Sequence, residues 1–477
     1  MKERSWACAP FIPLRDREKE NHPYICHIAP YDGKFEVEWF DKGSDGPHTL
    51  YYRLRDSQDE YVAIPLTSSY VTVEGVKNDT DYELFVARDD GSAKSNIRFV
   101  YCTPLFDENA TIINYIHPDD QQYNYGGWWI GFPSIIRVPS GKLLGIHEVF
   151  GQEDPLAILF YSEDEGKTWH FLNEMVPVMA PRLFMNNGKL YVLGSHVSAG
   201  GIVIAESSDE GKTWTEPTVL LRSMHNKSIH HKGNGYNLHA TPELIHNGRI
   251  YIAFEQGGWS RWNNEAHDCR IMSAPVDSNL LDKNSWDFTP GAFLDIADFD
   301  FPDADFVTAI EGNLMLNDDG EIYSLARLDT VYGPVKNGRR TELIDTAVLF
   351  KFKNFDQPME YVRPVSAKVG NRHGFFIRKD EITNTYIMFH NEELITKFGR
   401  NAISMSVSKD MVNWEKKATL LDVRNAAKES TVSQPHFIFD GEDILYISRT
   451  AWGKFHSEHN GNMATFHRLK NFRELLK

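Results

Sequence analysis

Ser162-Glu163-Asp164-Glu165-Gly166-Lys167-Thr168-Trp169 returns as Ser207-Ser208-Asp209-Glu210-Gly211-Lys212-Thr213-Trp214, so the two aspartates stand 45 residues apart. A worn third copy, Ser408-Lys409-Asp410-Met411-Val412-Asn413-Trp414, lies near the end of the sequence. Each copy follows one β-rich run and leads into another, where the turn of a hairpin belongs. The Ser and Asp side chains suit hydrogen bonds to the turn's own amides, and the Gly suits a positive φ. The closing Trp is sized to fill the space between neighbouring sheets. Repetition at this period marks a radial array of β-units.

Around these copies a second pattern recurs from residue 106 onward: a strand, a turn containing Gly, Asn or Asp, then an apolar strand. Its copies are Pro133–His147 about Ser140-Gly141, Pro181–His196 about Asn187-Gly188, and Pro242–Gln256 about Asn247-Gly248. Gly312–Arg327 about Asp319-Gly320, Gly374–His390 about Thr383-Asn384 and Pro435–Arg449 about Asp440-Gly441 continue it. Asn-Gly and Asp-Gly favour type I′ hairpins, in which both central residues take φ > 0. Six such hairpins predict a six-bladed β-propeller over 106–477. A seventh blade fits only where Ala110–Ile116 meets Ala464–Leu469, an exchange of strands that closes the ring.

Ahead of the propeller, residues 1–22 read as a polar arm. Residues 23–105 read as a β-sandwich of short alternating strands such as Phe35-Glu36-Val37-Glu38-Trp39 and Tyr82-Glu83-Leu84-Phe85-Val86. The fold class expected is therefore all-β, a sandwich followed by a propeller. At 477 residues with 41% hydrophobic and 25% charged residues, the chain has ample core for two or three domains. A formal net charge of −17 argues against nucleic acid and anionic membrane surfaces as partners, but not against an acidic substrate held by a local basic site. No stretch has the length of a membrane span, and Met1-Lys2-Glu3-Arg4-Ser5-Trp6 lacks an apolar leader core. The expected location is cytoplasmic if Met1 is native, secreted if a leader was removed. Cys8, Cys26, Cys102 and Cys269 show no zinc spacing; reduced core thiols are expected, with a Cys26–Cys102 pair as the alternative.

Val73-Glu74-Gly75-Val76-Lys77-Asn78-Asp79-Thr80-Asp81-Tyr82-Glu83-Leu84 resembles the loop and tyrosine-corner strand of a fibronectin type III domain, and Trp39 suits its buried Trp. The repeated turns, or Asp boxes, together with Phe132-Pro133-Ser134-Ile135-Ile136-Arg137 resemble the sialidase superfamily. That family's first-blade arginine, which clamps a substrate carboxylate, is absent here: Gly131-Phe132-Pro133 stands in its place. Gly145-Ile146-His147-Glu148-Val149-Phe150-Gly151 and Thr465-Phe466-His467-Arg468-Leu469 resemble a narrower branch, propellers that cleave L-rhamnose–α-1,4–glucuronate linkages as lyases or rhamnosidases. That resemblance implies a central role for His147.

Propeller topology places the ends of each second strand and the starts of each first strand on one face, with the hairpins and Asp boxes on the other. The first face collects His147, His196, Glu255, Arg327, His390 and Arg449, then His239, Glu311, Arg372 and Gln434, with Trp128, Trp129, Trp259, Tyr332 and His459 from loops. Arg327, Arg372 and Arg449 suit bidentate clamping of a carboxylate; Trp128, Trp129 and Trp259 offer flat faces to sugar rings; His390, His459 and Glu311 add hydrogen-bonding groups. The expected substrate is an acidic, uronate-bearing oligosaccharide or polysaccharide. For elimination, His147 or His196 takes the C5 proton, and His239 or Tyr332 returns one to the leaving oxygen. For hydrolysis, a carboxylate pair drawn from Glu148, Glu255 and Glu311 is expected. An exo-sialidase with a rearranged arginine cluster and a non-catalytic glycan binder are the alternatives. No cofactor is required; Asp298, Asp300, Asp303 and Asp305 are candidates for Ca²⁺.

Overall fold

The structure, a computed structural model, describes residues 21–120, 129–150, 156–175, 178–195, 200–222, 235–257, 267–300, 307–330, 332–336, 339–342, 346–367, 374–392, 400–426, 430–456 and 461–477; of 150, 332–336 and 339–342 it describes the backbone. Among these residues strands alternate with turns, three short 3-10 turns are the helical elements, and no helix is long and apolar enough to cross a membrane.

The first seven strands, from Tyr24–Tyr31 to Arg98–Cys102, form a three-stranded and a four-stranded antiparallel sheet. Alternation in Lys34–Phe40 and Thr80–Arg88 turns Phe35, Val37, Trp39, Tyr82, Leu84 and Val86 into the space between them. The Tyr82 hydroxyl accepts the Lys77 amide at 2.8 Å, locking the loop five residues upstream. Cys26, Cys102 and Cys269 are buried free thiols. This sandwich is not isolated. Ile112, Tyr115 and Met463 share its core, Tyr24 donates to Glu174 at 3.0 Å, and Arg55 pairs with Asp119 at 2.6 Å.

The rest of the described chain forms six antiparallel sheets in sequence, numbered 1 to 6 here, plus a two-stranded hairpin (Tyr332–Lys336 with Arg339–Glu342) inserted in sheet 4. Their inner strands are Trp129–Arg137, Met179–Asn186, Tyr236–Asn237 continued by Leu244–His246, Val307–Leu316, Phe375–Asp380 and Thr431–Asp440. Sheet 6 is completed by Thr111–Tyr115, which pairs with Met463–Leu469. The segment where a seventh blade had room is therefore the outer edge of sheet 6. Side chains stitch neighbouring inner strands together. The Ser134 hydroxyl accepts the Leu183 amide at 3.4 Å, Asn313 Oδ1 accepts the Ile377 amide at 3.0 Å, and His436 Nδ1 accepts the Ile135 amide at 3.2 Å. The last of these joins sheet 6 back to sheet 1 and shuts the ring.

The hairpin turns fall where the sequence puts them, but only Asn187-Gly188 and Asn247-Gly248 have φ > 0 at both central residues. At Asp319-Gly320 and Asp440-Gly441 the glycine alone does, and at Thr383-Asn384 the asparagine alone. The repeated turns close the outer strand pairs of sheets 1, 2 and 5. Asp164 accepts the amides of Lys167 and Thr168 at 3.0 and 2.9 Å and the Thr168 hydroxyl at 2.8 Å, while the Ser162 hydroxyl accepts the Gly166 amide at 2.9 Å. Glu165 as well as Gly166 takes a positive φ. Gly166 also lies against the Phe466 ring, where a Cβ would stand 2.2 Å from a ring carbon. Trp169 fills the gap to the same ring at 5.4 Å.

Candidate functional site

Four inner strands carry the same irregularity at the same height. Phe132, Ala180, Glu311 and Gln434 have φ of 40°, 51°, 58° and 51°, and at each the pairing with the second strand skips a residue. These are β-bulges. The residue after the bulge has no ladder partner to lose, which suits Pro133, Pro181 and Pro435, each lacking an N–H. A left-handed backbone at a non-glycine residue is strained, and its repetition round a ring re-aims four side chains or amides at one place. In sheet 3 the inner strand is interrupted instead, and the break, 238–243, carries His239.

The groups so placed touch one another across sheets. His239 Nε2 lies 3.0 Å from Glu255 Oε2, and its Nδ1 lies 3.5 Å from Glu311 Oε1. Glu311 Oε2 accepts from Arg327 Nη1 at 2.8 Å, and Arg327 Nη2 lies 3.8 Å from Asp329. Glu255 Oε1 accepts the strained Glu311 amide in a short hydrogen bond. From sheet 1, the Phe132 ring sits 5.3 Å from the His239 ring, so sheets 1 and 3, which are not neighbours, meet at the axis. From sheet 6, Gln434 Oε1 accepts the Phe132 amide at 2.9 Å and stands 3.5 Å from Arg449 Nη1. Glu148 of sheet 1 accepts the Ala180 amide through Oε2, while its Oε1 is buried without a hydrogen-bond partner among the described residues.

Two glycines make room for two of these carboxylates. A Cβ on Gly131 would stand 2.7 Å from Glu148 Oε1, and one on Gly374 would stand 2.8 Å from Glu311 Oε2. Gly131, where the sequence lacks an expected arginine, is thus the cradle of a glutamate.

The environments drive the carboxylates apart. Burial pushes Glu148 up to about 7, with the Ala180 hydrogen bond and the charges of Arg449 and His239 offsetting only part of it. Burial pushes Glu255 upward as well, but the charge and hydrogen bond of His239, with His267 and the Glu311 amide, outweigh it and hold Glu255 below its ordinary range. Burial lowers Arg449 to about 10 against the opposing pull of Glu148.

Of the residues singled out in sequence, His239, Glu255, Glu311, Arg327, Gln434 and Arg449 come together in this cluster. His147 and His390 do not. Each is 1% exposed and bonds the following carbonyl through Nδ1: His147 to Glu148 at 3.1 Å, His390 to Asn391 at 2.9 Å. Through Nε2 they hold Asn114 at 3.0 Å and the Ser406 hydroxyl at 2.8 Å. Burial lowers both to about 4. They are tie-points inside the sheets, and in sheet 1 the axial position belongs to the next residue, Glu148. Trp129 is half-buried at the start of the first inner strand, opposite Phe150. Tyr332 opens the hairpin inserted in sheet 4, with its backbone alone described. His196, Arg372, His459, Trp128 and Trp259 lie outside the described residues, as do Asp303 and Asp305. Asp298 and Asp300 are exposed, and the described residues contain no group of three or more His, Cys, Asp or Glu arranged to hold a metal ion. Asp329 was not anticipated; its signal was the Arg-x-Asp spacing from Arg327, too common to stand out.

No protein-family model matches the chain, and no curated protein matches it. Solved structures do. A mutant α-L-arabinofuranosidase from Fusarium graminearum, in complex with an iminosugar inhibitor, aligns with TM-score 0.53 at 12% identity, over 76% of this chain and 98% of that one. Trypanosoma rangeli sialidase in complex with 2,3-difluorosialic acid aligns with TM-score 0.51 at 11% identity, over 78% of this chain and 60% of the sialidase. The fold is a β-propeller. It is of the kind these sialidase and arabinofuranosidase structures share, and at such identities the likeness extends to the fold alone.

Proposed function

We propose that the protein is a carbohydrate-active enzyme that breaks a glycosidic bond by carboxylate acid–base chemistry at the propeller axis. The observation that carries this is the meeting of Glu148, His239, Glu255, Glu311 and Arg327, drawn from sheets 1, 3 and 4, with one carboxyl held near neutrality and another held ionised. The raised carboxyl suits Glu148 to protonate the leaving oxygen, and Glu311, oriented by Arg327 at 2.8 Å and His239 at 3.5 Å, is placed as the base or nucleophile. The fold supports the reading, since the two compared structures carry an iminosugar inhibitor and a difluorosialic acid.

For the substrate we propose a uronate-bearing glycan of the rhamnosyl-glucuronate type. Arg449, beside a Glu148 that is protonated over much of the acidic to neutral range, brings positive charge to the axis, which suits a substrate carboxylate. His239, held between two carboxylates, also favours a second route, abstraction of the uronate C5 proton.

The test is incubation with rhamnosyl-glucuronate oligosaccharides, arabino-oligosaccharides and a fluorogenic sialoside. Free rhamnose supports hydrolysis, and new ultraviolet absorbance from an unsaturated uronate supports elimination. Turnover of the sialoside or arabinoside alone would redirect the substrate while keeping the chemistry. Glycan binding without turnover, unchanged in Glu148→Gln, would make the propeller a binding module and end the proposal.

A further inference from the structure

One layer deeper than Phe132, Ala180 and Gln434, two residues along each inner strand, stand Ser134, Arg182 and His436. All three are at most 1% exposed. At the bulges the flanking residues, Gly131 with Ser134 and Met179 with Arg182, pair with second-strand residues two apart and so share a face, and the bond from Arg182 to the His239 carbonyl sets this polar layer against the candidate site. Arg182 is its anomaly. Its guanidinium donates through Nη2 to the His239 carbonyl and, at 2.8 Å, to the Thr241 hydroxyl, while Nε and Nη1 are buried with no hydrogen-bond partner among the described residues. No described carboxylate forms an ion pair with it. Glu243 acts on it only at longer range and is shared with a second cation, since Arg378 Nη1 lies 4.0 Å from Glu243 Oε1. Arg378 comes from sheet 5, across the ring from sheet 2, and donates through Nε to the Phe437 carbonyl at 2.9 Å. Burial and both guanidiniums hold His436 far below its ordinary range, so it contributes no charge.

Among the described residues two guanidiniums and a neutral imidazole share one glutamate, so Arg182, 1% exposed, has no counter-charge of its own. A buried charge without a counter-charge costs several kcal/mol as a rule, and buried N–H groups find an acceptor. We propose that a small monovalent anion of halide type sits beneath the candidate site, held by Arg182 Nε and Nη1. Such an ion accepts both orphaned donors at once. By fixing Arg182, it also fixes the carbonyl of His239 above. The proposal does not depend on the enzymatic reading, because its readouts are structural and thermodynamic.

The test uses the whole chain. Crystals grown with bromide in place of chloride are expected to show an anomalous-scattering peak within hydrogen-bonding reach of Arg182 Nε and Nη1. At constant ionic strength set with sodium gluconate, the melting temperature should climb with the logarithm of chloride or bromide concentration, as ligand linkage requires. Arg182→Met should lose that climb, and Arg378→Met should weaken it. Water at the position in bromide crystals, together with a melting temperature indifferent to halide, overturns the proposal. If Arg182→Met does not fold, the bromide map and halide titration of the unaltered protein decide it alone.

Discussion

The molecule carries two sets of carboxylates in contrasting circumstances. Those of the repeated turns are satisfied by their own neighbours: Asp164 by residues three and four positions on, Asp209 by Thr213, Asp410 by Val412 and Asn413. Burial pushes these carboxyls up, but the donated hydrogen bonds win and hold all three below their ordinary range. The axial carboxylates have no such local cradle. Glu148 leans on Ala180, Glu255 on His239 and Glu311, and Glu311 on Arg327, all from other strands or other sheets. One set is settled by the turn it lies in; the other is settled only once the ring exists. A carboxylate whose partners arrive late and incompletely is the kind whose proton remains available for chemistry.

Substitutions can break this contrast, and the largest effect is expected on turnover. Glu148→Gln and Glu311→Gln should each lower kcat on a cleaved glycan by ~10²–10⁴, with near-native circular dichroism. An effect below tenfold in both would show that the axial carboxylates are as structural as the turn ones.

Next comes the pH dependence of stability. The folded-state value of about 7 for Glu148 lies above its ordinary 4.5, so between those values the folded chain keeps a proton the unfolded chain has released. This group's contribution is therefore most favourable below about 4.5, declines as pH rises to about 7 and then levels off. The loss is ~3 kcal/mol across that window. Urea unfolding of the unaltered chain and Glu148→Gln at pH 5 and pH 8 should show the variant gaining on the parent by about that amount, and parallel profiles would refute the assignment.

Asp164→Ala removes the acceptor of the turn's bonds and should cost ~2 kcal/mol of stability, leaving kcat unaltered. Loss of activity at constant stability would mean the turn reaches the axis. The smallest effect is expected of His147→Gln: ~1 kcal/mol of stability and kcat within about threefold, well short of what general acid–base catalysis contributes. A collapse of kcat there would restore the histidine to the chemistry.

The same contrast explains what could be read from the sequence. The turns repeat as text because their bonds are local, so Asp164, Gly166 and Trp169 announced both the outer hairpins and the back of the ring. The bulges left only half a trace. Pro133, Pro181 and Pro435 mark where each ladder is broken, yet nothing in the text says that Phe132, Ala180 and Gln434 adopt left-handed backbone there. Because side chains alternate with period two, one position of phase separates the enclosed His147 from the axial Glu148. The resemblance to a histidine-centred phrase pointed to His147, while the unused clue to the axial Glu148 was Gly131, a residue without a side chain opposite a glutamate. Arg182 was invisible for a plainer reason: it reads as an ordinary strand residue until four other sheets surround it.

The pairing of Thr111–Tyr115 with Met463–Leu469 has a consequence for how this chain comes to be folded at all. Chain made early must wait, with one edge bare, for chain made much later, and loop closure over such a span is among the slowest routes to a native contact. On a ribosome the sandwich and the first five sheets can settle in turn, while the sixth stays open until synthesis has passed Leu469. That interval exposes an unpaired strand edge. Chaperone dependence and aggregation of nascent chains are thus expected to concentrate in it. A strand that looks like a clasp in the finished molecule is, in the cell, a deadline.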